Sequence, residues 1–260
     1  MIDRLVAYGC SFTAGDELCE HEVLPDADII KRGKDSGEFT KILWNSAERK
    51  AIDDMYARQR QIAYPGIIAN KLGIKLDNRA KPGNSIEGIL LNIISDITTS
   101  SINQTDLVVI GLTHVDRIVH LRGNDLYYVH LGHPSTWPTL KSYEQIINHY
   151  NNETLFFHYY VTLNSLIKIC HENFPGRFFI VKSCHWRNLE IPDNISDKFK
   201  KSITYLKTSS ETGTQLILDK SLYDFIDNYN AEVHGLGHPN HGVHVKFAEY
   251  LYPQIVKRLQ

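Results

Sequence analysis

The amino-acid sequence predicts an α/β fold, a three-layer α/β/α sandwich around a mostly parallel five-stranded sheet. Short apolar runs typical of buried strands alternate along the chain with segments whose apolar residues recur at helical spacing. The run DLVVIGL at 106–112 is aliphatic without interruption, which is typical of a central parallel strand buried on both faces. The last segment carries an apolar stripe on one helical face, formed by Ala248, Leu251, Tyr252, Ile255, Val256 and Leu259.

Four further strands and four further helices complete this alternation. Apolar runs predict the strands at 4–9, 74–79, 177–183 and 214–219. Helical spacing predicts the helices at 59–72, 86–98, about 141–171 and 195–206. Gly73 is a stop signal for the first of these helices, and Ser85 is a candidate N-cap for the second.

The chain is predicted to form one domain over residues 1–260, because it contains no internal repeat and no low-complexity linker. An irregular, charged segment at about 16–58 predicts an insertion that covers one edge of the domain. Within the segment 114–140, alternating runs flank the turn-forming pair Gly123-Asn124. This second segment is therefore predicted to contain a hairpin that acts as a cap.

Composition narrows the classes of function. The chain has 260 residues, of which 42% are hydrophobic and 22% charged, with a net charge of −2, so its surface attracts neither nucleic acid nor membrane. No apolar run is long enough to span a bilayer, and no basic-then-apolar leader opens the sequence. Four cysteines lack zinc-ligand spacing and are too few for a disulfide scaffold, namely Cys10, Cys19, Cys170 and Cys184. We therefore expect reduced thiols and a cytoplasmic location. No signal in the sequence indicates the oligomeric state.

The loops that follow the strands hold the candidate site, because open parallel sheets bind ligands at the carboxyl ends of their strands. Ser11 lies two residues beyond the first strand, between Gly9 and Gly15, where backbone N–H groups could stabilise an oxyanion. Gly83, in the loop after the second strand, allows close backbone approach and could donate a second N–H. Taken alone, each loop also fits an ordinary turn that leads into a helix.

Two later loops add polar groups to the same edge of the sheet. After the central strand, Thr113 could present a hydroxyl donor, whereas the charged pair Asp116 and Arg117 is predicted to form a solvated salt bridge. His238 lies where a loop enters the C-terminal helix, with Pro239 predicted at the first helical position. A neutral imidazole there could take a proton from serine and later return it near neutral pH.

A cluster of histidines raises the alternative of a metal site. Four of them fall within eleven residues: His234, His238, His241 and His244. Consecutive members of the last three would face the same way on a helix. However, Pro239 makes the start of that helix irregular, and no carboxylate or cysteine completes a familiar ligand set. The metal site is therefore the less favoured interpretation.

Four segments, taken together and in chain order, resemble the signature blocks of SGNH (GDSL-like) hydrolases. They are GCSFTAGD at 9–16, RAKPGNS at 79–85, DLVVIGLT at 106–113 and HPNHGVHVKFAEYL at 238–251. The resemblance spans almost the whole chain and implies a flavodoxin-like three-layer sandwich with Ser11 as nucleophile and His238 as its base. It also implies an oxyanion hole made by Ser11, Gly83 and Thr113, and a reaction that needs no cofactor.

The sequence departs from the pattern of this family at two places. Thr113 or His114 stands where the family has an asparagine that donates to the oxyanion. The family's acid lies two or three residues before the histidine, where this chain has leucine and glycine at 236 and 235. Loss of an orienting acid can slow a catalytic triad by several orders of magnitude. Asp227, Glu232 or a backbone carbonyl are the candidate replacements.

The resemblance implies a hydrolase that acts on ester bonds, either an acyl esterase or a deacetylase. The segment 114–140 is rich in tyrosine and histidine and contains Trp137, and aromatic faces with hydroxyls suit sugar rings. An acylated carbohydrate or another small-molecule ester is therefore the expected substrate. Two alternatives remain: a ligand-binding protein that has lost the chemistry, and a metal-dependent hydrolase that uses the histidine cluster. A nucleotide-binding protein is disfavoured because no glycine-rich phosphate fingerprint follows the first strand.

Overall fold

The computed structural model describes residues 2–16, 18, 46–122, 125–130, 152–184, 216–233 and 237–260. Its strands are β1 (Arg4–Tyr8), β2 (Lys75–Asn78), β3 (Leu107–Leu112), β4 (Arg117–Arg122), β5 (Asp125–His130), β6 (Phe178–Lys182) and β7 (Leu216–Ser221). Five of them form one parallel sheet in the order β2-β1-β3-β6-β7, with Leu5 opposite Leu107 and Val108 opposite Phe178. This arrangement confirms the predicted parallel α/β sheet.

The helices cover both faces of this sheet. They are α1 (Ser11–Ala14), α2 (Ser46–Ile62), α3 (Tyr64–Leu72), α4 (Ile86–Thr98), α5 (Asn152–Asn173), a 3₁₀ helix (Leu222–Phe225), α6 (Tyr229–Glu232) and α7 (His241–Leu259). None of the helices that the structure describes is both long and apolar enough to cross a bilayer. The predicted helix at 195–206 lies outside the described residues, as does most of the predicted insertion at 16–58.

The alternation of side chains along the central strand explains the three layers. Val108 and Ile110 of β3 point into a buried apolar cluster with helices α4 and α5. Leu107 and Val109 point to the opposite face, into a second cluster with helices α3 and α7. Because successive side chains of a strand face opposite sides of a sheet, an uninterrupted apolar strand requires a helical layer on each side.

One predicted helix is two helices. The sequence predicted a single helix over 59–72, but the backbone is extended at Ala63, between α2 and α3. Pro65 lies in the first turn of α3, where its missing N–H costs nothing, whereas inside a continuous helix its ring would clash with the preceding turn. Gly73 ends α3 in the left-handed conformation with φ +67°, as its sequence signal predicted.

The C-terminal helix begins two residues later than the sequence predicted. Pro239 does not occupy the first helical position; it forms an isolated antiparallel bridge with Val233. The side chain of Asn240 caps the helix instead, accepting a hydrogen bond of 3.1 Å from the backbone N–H of Val243. Asparagine is among the preferred N-caps because its oxygen satisfies an N–H that the first turn leaves unpaired. His238 therefore lies in the loop before the cap.

The strands β4 and β5 form an antiparallel pair directly after the loop that follows β3. Arg117 pairs with His130 at one end and Arg122 with Asp125 at the other. This pair lies where the alternating runs around Gly123-Asn124 predicted a hairpin, although those two residues are outside the described part of the chain. Its action as a cap over the site stays a prediction, as does the single domain.

Candidate active site

The loop that carries Ser11 leaves the carboxyl end of β1 and turns at once into the single-turn helix α1. Cys10 is extended and precedes the helix, and Gly15 ends it in the left-handed conformation with φ +81°. Ser11 is the first residue of α1, so its backbone N–H is among the first-turn groups that have no acceptor within the helix. The Ser11 side chain is only 3% exposed. The loop therefore places Ser11 and its backbone N–H at the carboxyl edge of the sheet.

Buried polar contacts fix the position of this loop. The hydroxyls of Thr13 and Tyr64 lie 3.1 Å apart, and the side-chain amide of Asn78 donates to the Thr13 carbonyl at 2.9 Å. Two glycines make room for Thr13. A Cβ on Gly9 would lie 2.2 Å from the Thr13 Oγ1 atom, and a Cβ on Gly111 would lie 2.1 Å from it. Glycine is thus needed at the carboxyl ends of β1 and β3, because the loop that carries Ser11 packs directly on them.

The loop that carries Gly83 lies against the loop that carries Ser11. The backbone N–H of Lys81 donates to the Gly9 carbonyl at 3.1 Å, and the Asn84 side-chain amide approaches the same oxygen at 3.4 Å. Gly83 has φ +73° and lies at the surface, and among the described residues beyond its chain neighbours no atom lies within 4 Å of the position that a Cβ would take. The structure thus brings together two of the loops that the sequence predicted, and leaves Gly83 open to an approaching molecule.

Thr113 ties the third loop to the second. Its hydroxyl donates to the backbone carbonyl of Asn84 at 2.8 Å, and its own carbonyl accepts from the Tyr159 hydroxyl at 3.0 Å. A threonine hydroxyl has one proton, and here that proton is already donated. This hydrogen bond does not support the predicted role of the Thr113 hydroxyl as an oxyanion donor. It supports a role in joining two loops of the site.

His238 packs against the loop that carries Ser11. Its ring centroid lies 4.9 Å from that of Phe12, the residue that follows Ser11. Tyr223 contacts the same phenyl ring, at 5.5 Å, and donates its hydroxyl to the carbonyl oxygen of Gly237 at 2.5 Å. The residue just before His238 is thus fixed by a side chain that also contacts Phe12. No signal in the sequence pointed to Tyr223.

The other described histidines of the cluster point to backbone partners. His241 Nδ1 lies 3.0 Å from the carbonyl oxygen of Ile62, and the buried His244 accepts a hydrogen bond of 3.1 Å from the backbone N–H of Tyr64. His244 therefore satisfies an N–H at the start of α3, a structural role that the sequence did not indicate. Within the described ranges, no group of three or more metal-ligating side chains comes together.

The two carboxylates considered as replacements for the missing acid bind a lysine. Lys246 Nζ lies 2.7 Å from Asp227 and 2.7 Å from Glu232. Glu232 also accepts the backbone N–H groups of Asp227 and Asn228, at 2.6 and 2.8 Å. The hydrogen bond from Lys246, followed by these backbone donors, lowers the pKa of Glu232 to about 2. Both carboxylates therefore stabilise the turn around α6. Their bonds to Lys246 do not support a role for either one in orienting His238.

Arg117 is buried, so its predicted pairing with Asp116 is not solvated, although the charge of Asp116 still acts on the guanidinium and contributes to raising its pKa. Its side chain lies below the surface at 8% exposure, and in the part of the chain that the structure describes its Nε and Nη1 atoms have no hydrogen-bond acceptor. The guanidinium charge acts on two buried thiols, Cys10 and Cys184, whose sulfur atoms lie 3.5 Å apart. Burial of an arginine is costly unless an opposite charge is near, and the carboxylate of Asp116 supplies such a charge here.

Comparison with known proteins shows the fold. No protein-family model matches the sequence, and no curated protein matches it. Among solved structures, the esterase EstA from Pseudoalteromonas sp. matches with a TM-score of 0.52 and 13% identity over 99% of this chain and 98% of that chain. A carbohydrate esterase family 2 enzyme from Corynascus matches with a TM-score of 0.53 and 14% identity, over 99% of this chain and 66% of that chain. LAE5, an alpha/beta hydrolase enzyme from the metagenome of Lake Arreo, matches with a TM-score of 0.51 and 12% identity, over 99% and 96%. The chain thus shares the fold of these three enzymes.

Proposed function

We propose that this chain, which has the fold of SGNH-type hydrolases, is a serine hydrolase that acts on ester bonds. Ser11 is the nucleophile and His238 is its general base. One observation carries the proposal: the ring of His238 packs at 4.9 Å on Phe12, the residue next to Ser11, at the carboxyl edge of the sheet. Two segments separated by more than two hundred residues are thus side by side where such folds bind their ligands.

The reaction follows from these two groups. Ser11 Oγ attacks the carbonyl carbon of the ester while the imidazole of His238 takes the hydroxyl proton. Collapse of the tetrahedral intermediate breaks the bond to the leaving alcohol, which receives that proton from His238. Water then attacks the acyl-enzyme with His238 again as base, and the acid is released. No cofactor takes part in these steps.

We assign the oxyanion to backbone donors. The N–H of Ser11 opens α1, and the N–H of Gly83 lies in a loop bonded to Gly9, so both belong to one framework. The open space around Gly83 supports close approach of a substrate oxygen. Thr113 holds this framework through its bond to Asn84 and is not assigned as a donor.

The proposed substrate is a small acyl ester, including an acylated carbohydrate. The structural likeness to a carbohydrate esterase supports this class at the level of fold. Aromatic rings beside the nucleophile also support it, since Phe12 is contacted by Tyr223 and His114 at 5.5 and 5.8 Å. The thiols of the described cysteines are free, and we propose a cytoplasmic location, where thiols stay reduced.

A second function is a ligand-binding protein that keeps the cleft without the chemistry. Two observations favour it: positions 235 and 236 hold no carboxylate, and both Asp227 and Glu232 are bound to Lys246. This alternative predicts that Ser11 does not react with a fluorophosphonate, although an ester or sugar ligand still binds in the cleft.

Labelling with a fluorophosphonate separates the two functions. The wild-type chain is expected to be labelled at Ser11 and to hydrolyse p-nitrophenyl acetate, and Ser11→Ala should abolish both activities. Ser165→Ala is the matched control, because Ser165 only donates to the carbonyl of Val161 within α5. His238→Asn should slow hydrolysis by roughly 10² to 10⁴-fold, whereas His241→Asn should not. Labelling that persists in Ser11→Ala would remove Ser11 from its role.

A further inference from the structure

A pair of thiols lies at the base of the nucleophile loop. Cys10 follows β1 and directly precedes Ser11, and Cys184 follows the end of β6. Both side chains are fully buried, and their sulfur atoms are 3.5 Å apart. The mechanism proposed for Ser11 uses neither thiol, so their approach across two strand ends is a separate feature of the site.

The surroundings of the pair make its two members unequal. Burial by itself raises the pKa of a thiol, but for Cys10 it is outweighed by the hydrogen bond from Cys184, the charge of Arg117 and the backbone N–H of Phe12, with a further contribution from His114. These groups lower the pKa of Cys10 well below its ordinary value. Burial and the adjacent Cys10 raise the pKa of Cys184. Cys10 is thus the thiol of the pair that loses its proton more readily, and the sulfur of Cys184 lies within reach of it.

We propose that Cys10 and Cys184 form a redox modification site, in which hydrogen peroxide or another small hydroperoxide converts the two thiols into a disulfide and thereby switches Ser11 off. The sulfur atoms need to approach from 3.5 Å to about 2.05 Å, the length of a disulfide bond. The disulfide itself does not depend on the proposed hydrolase function. Its effect on Ser11 rests on that function.

The oxidation balances in two steps. After Cys10 has released its proton, its thiolate attacks one oxygen of hydrogen peroxide and the O–O bond breaks. The sulfenic acid of Cys10 forms, and the hydroxide that departs takes up the released proton and becomes water. The sulfur of Cys184 then attacks the sulfenic sulfur, the S–S bond forms and the S–O bond breaks. The departing hydroxide takes the proton of the Cys184 thiol. In total, two thiols lose two electrons and two protons, and one peroxide becomes two molecules of water.

Formation of the disulfide moves Cys10, the residue that directly precedes Ser11. Cys10 and Ser11 share a peptide bond, so a displacement of Cys10 towards β6 also displaces the backbone N–H and the hydroxyl of Ser11. A misplacement of about 1 Å in a catalytic group can cost 10²-fold in rate. We therefore expect the oxidised chain to react with a fluorophosphonate about 10²-fold more slowly than the reduced chain.

Mass spectrometry of the oxidised chain tests the disulfide directly. The full chain is treated with hydrogen peroxide, blocked with N-ethylmaleimide, digested without reductant and mapped. We expect a peptide that joins Cys10 to Cys184, lost on treatment with dithiothreitol. Cys170→Ser is the matched control and should leave this peptide unchanged, because Cys170 is buried alone and its pKa is raised to about 12. A cross-link of Cys10 to Cys19, or between two chains, would overturn the proposal.

Variants separate the modification from the enzyme activity. Cys184→Ser should leave Cys10 as a sulfenic acid that dimedone traps, and labelling at Ser11 should then recover less fully with dithiothreitol, since further oxidation of Cys10 is not reversed. Arg117→Gln should slow disulfide formation about tenfold, and Arg117→Lys, which keeps the charge, should restore it. A disulfide that forms without any change in labelling at Ser11 would refute the switch. If the fluorophosphonate does not label the unoxidised chain at all, the hydrolase proposal fails. The disulfide is still detected by mass spectrometry.

Discussion

Tyr223 is the side chain that holds the residue before His238. Tyr223→Phe removes the hydroxyl that donates to the Gly237 carbonyl and keeps the ring that contacts Phe12. If His238 is the general base, we expect kcat for p-nitrophenyl acetate to fall about tenfold with KM unchanged, because the imidazole loses its fixed position. Tyr229→Phe is the matched control, since Tyr229 is 56% exposed. A rise in KM at constant kcat would assign Tyr223 to substrate binding instead.

Substitution of Thr113 distinguishes a structural role, in which its hydroxyl joins two loops, from a catalytic role. Thr113→Val leaves the buried carbonyl of Asn84 without its hydroxyl donor, so the free energy of unfolding should fall by about 1–2 kcal/mol in urea denaturation. Thr113→Ser restores a hydroxyl and should recover most of that loss. If instead Thr113 donated to the oxyanion, Thr113→Val would lower kcat by roughly 10² to 10³-fold at unchanged stability. The free energy of unfolding and kcat are measured on the same purified variants.

The packing of α1 on the ends of β1 and β3 sets the position of the loop that carries Ser11. Gly111→Ala would place a methyl group 2.1 Å from the Thr13 Oγ1 atom and 2.6 Å from the Tyr64 hydroxyl. Thr13 belongs to α1 and Tyr64 to α3, so relief of these contacts requires one or both helices to shift. We expect a loss of about 1–3 kcal/mol in the free energy of unfolding, together with slower labelling of Ser11 by a fluorophosphonate.

A double mutant checks the origin of that loss. Thr13→Ala removes the nearest of the clashing atoms, so Thr13→Ala combined with Gly111→Ala should be more stable than the sum of the single changes predicts. Strict additivity of the two changes, measured by thermal denaturation, would show that the strand and α1 do not press on each other at this point.

The elements that the sequence predicted best are those with local signals at both ends. Helix α4 begins after Ser85, whose side chain accepts the N–H of Gly88 at 3.2 Å, as its capping pattern predicted. The break at Ala63 was missed, although Pro65 was a visible signal. The contact at this break is long-range. His244 accepts the backbone N–H of Tyr64, and hydrophobic periodicity does not reveal a bond across 180 positions.

The site shows the same division between local and long-range information. The carboxyl-end rule predicted that the loops of Ser11, Gly83 and Thr113 lie at one edge, and the bonds to Gly9 and Asn84 connect them there. The sequence could not show that the hydroxyl of Thr113 is already used, or that Arg117 is buried beneath the loop. Both facts depend on which side chains meet after the sheet has assembled.

At the far end of the same strands, an ion pair stabilises the whole molecule away from the site. Arg4 opens β1 and donates to both carboxylate oxygens of Asp106, the residue before β3, at 2.8 and 3.0 Å. Asp106 is 1% exposed and also accepts the backbone N–H of Asn103 at 2.8 Å. Burial alone would raise the pKa of Asp106, but the bonds from Arg4 and Asn103 outweigh it and lower that pKa below 3.8.

Stability at acid pH should therefore depend on this pair. Because the pKa of Asp106 is lower in the folded chain than in the unfolded chain, its contribution is present above about pH 4 and is lost as the pH falls through 3.8 and below. At pH 7, Asp106→Asn should reduce the free energy of unfolding by about 2–3 kcal/mol, and the difference from wild type should shrink at pH 3. Asp3→Asn, at an exposed carboxylate that accepts the hydroxyl of Thr105, is the control and should change little. Labelling of Ser11 at pH 7 should be equal in all three proteins, because the pair lies at the amino ends of the strands; a slower rate in Asp106→Asn would show that this network is coupled to the site.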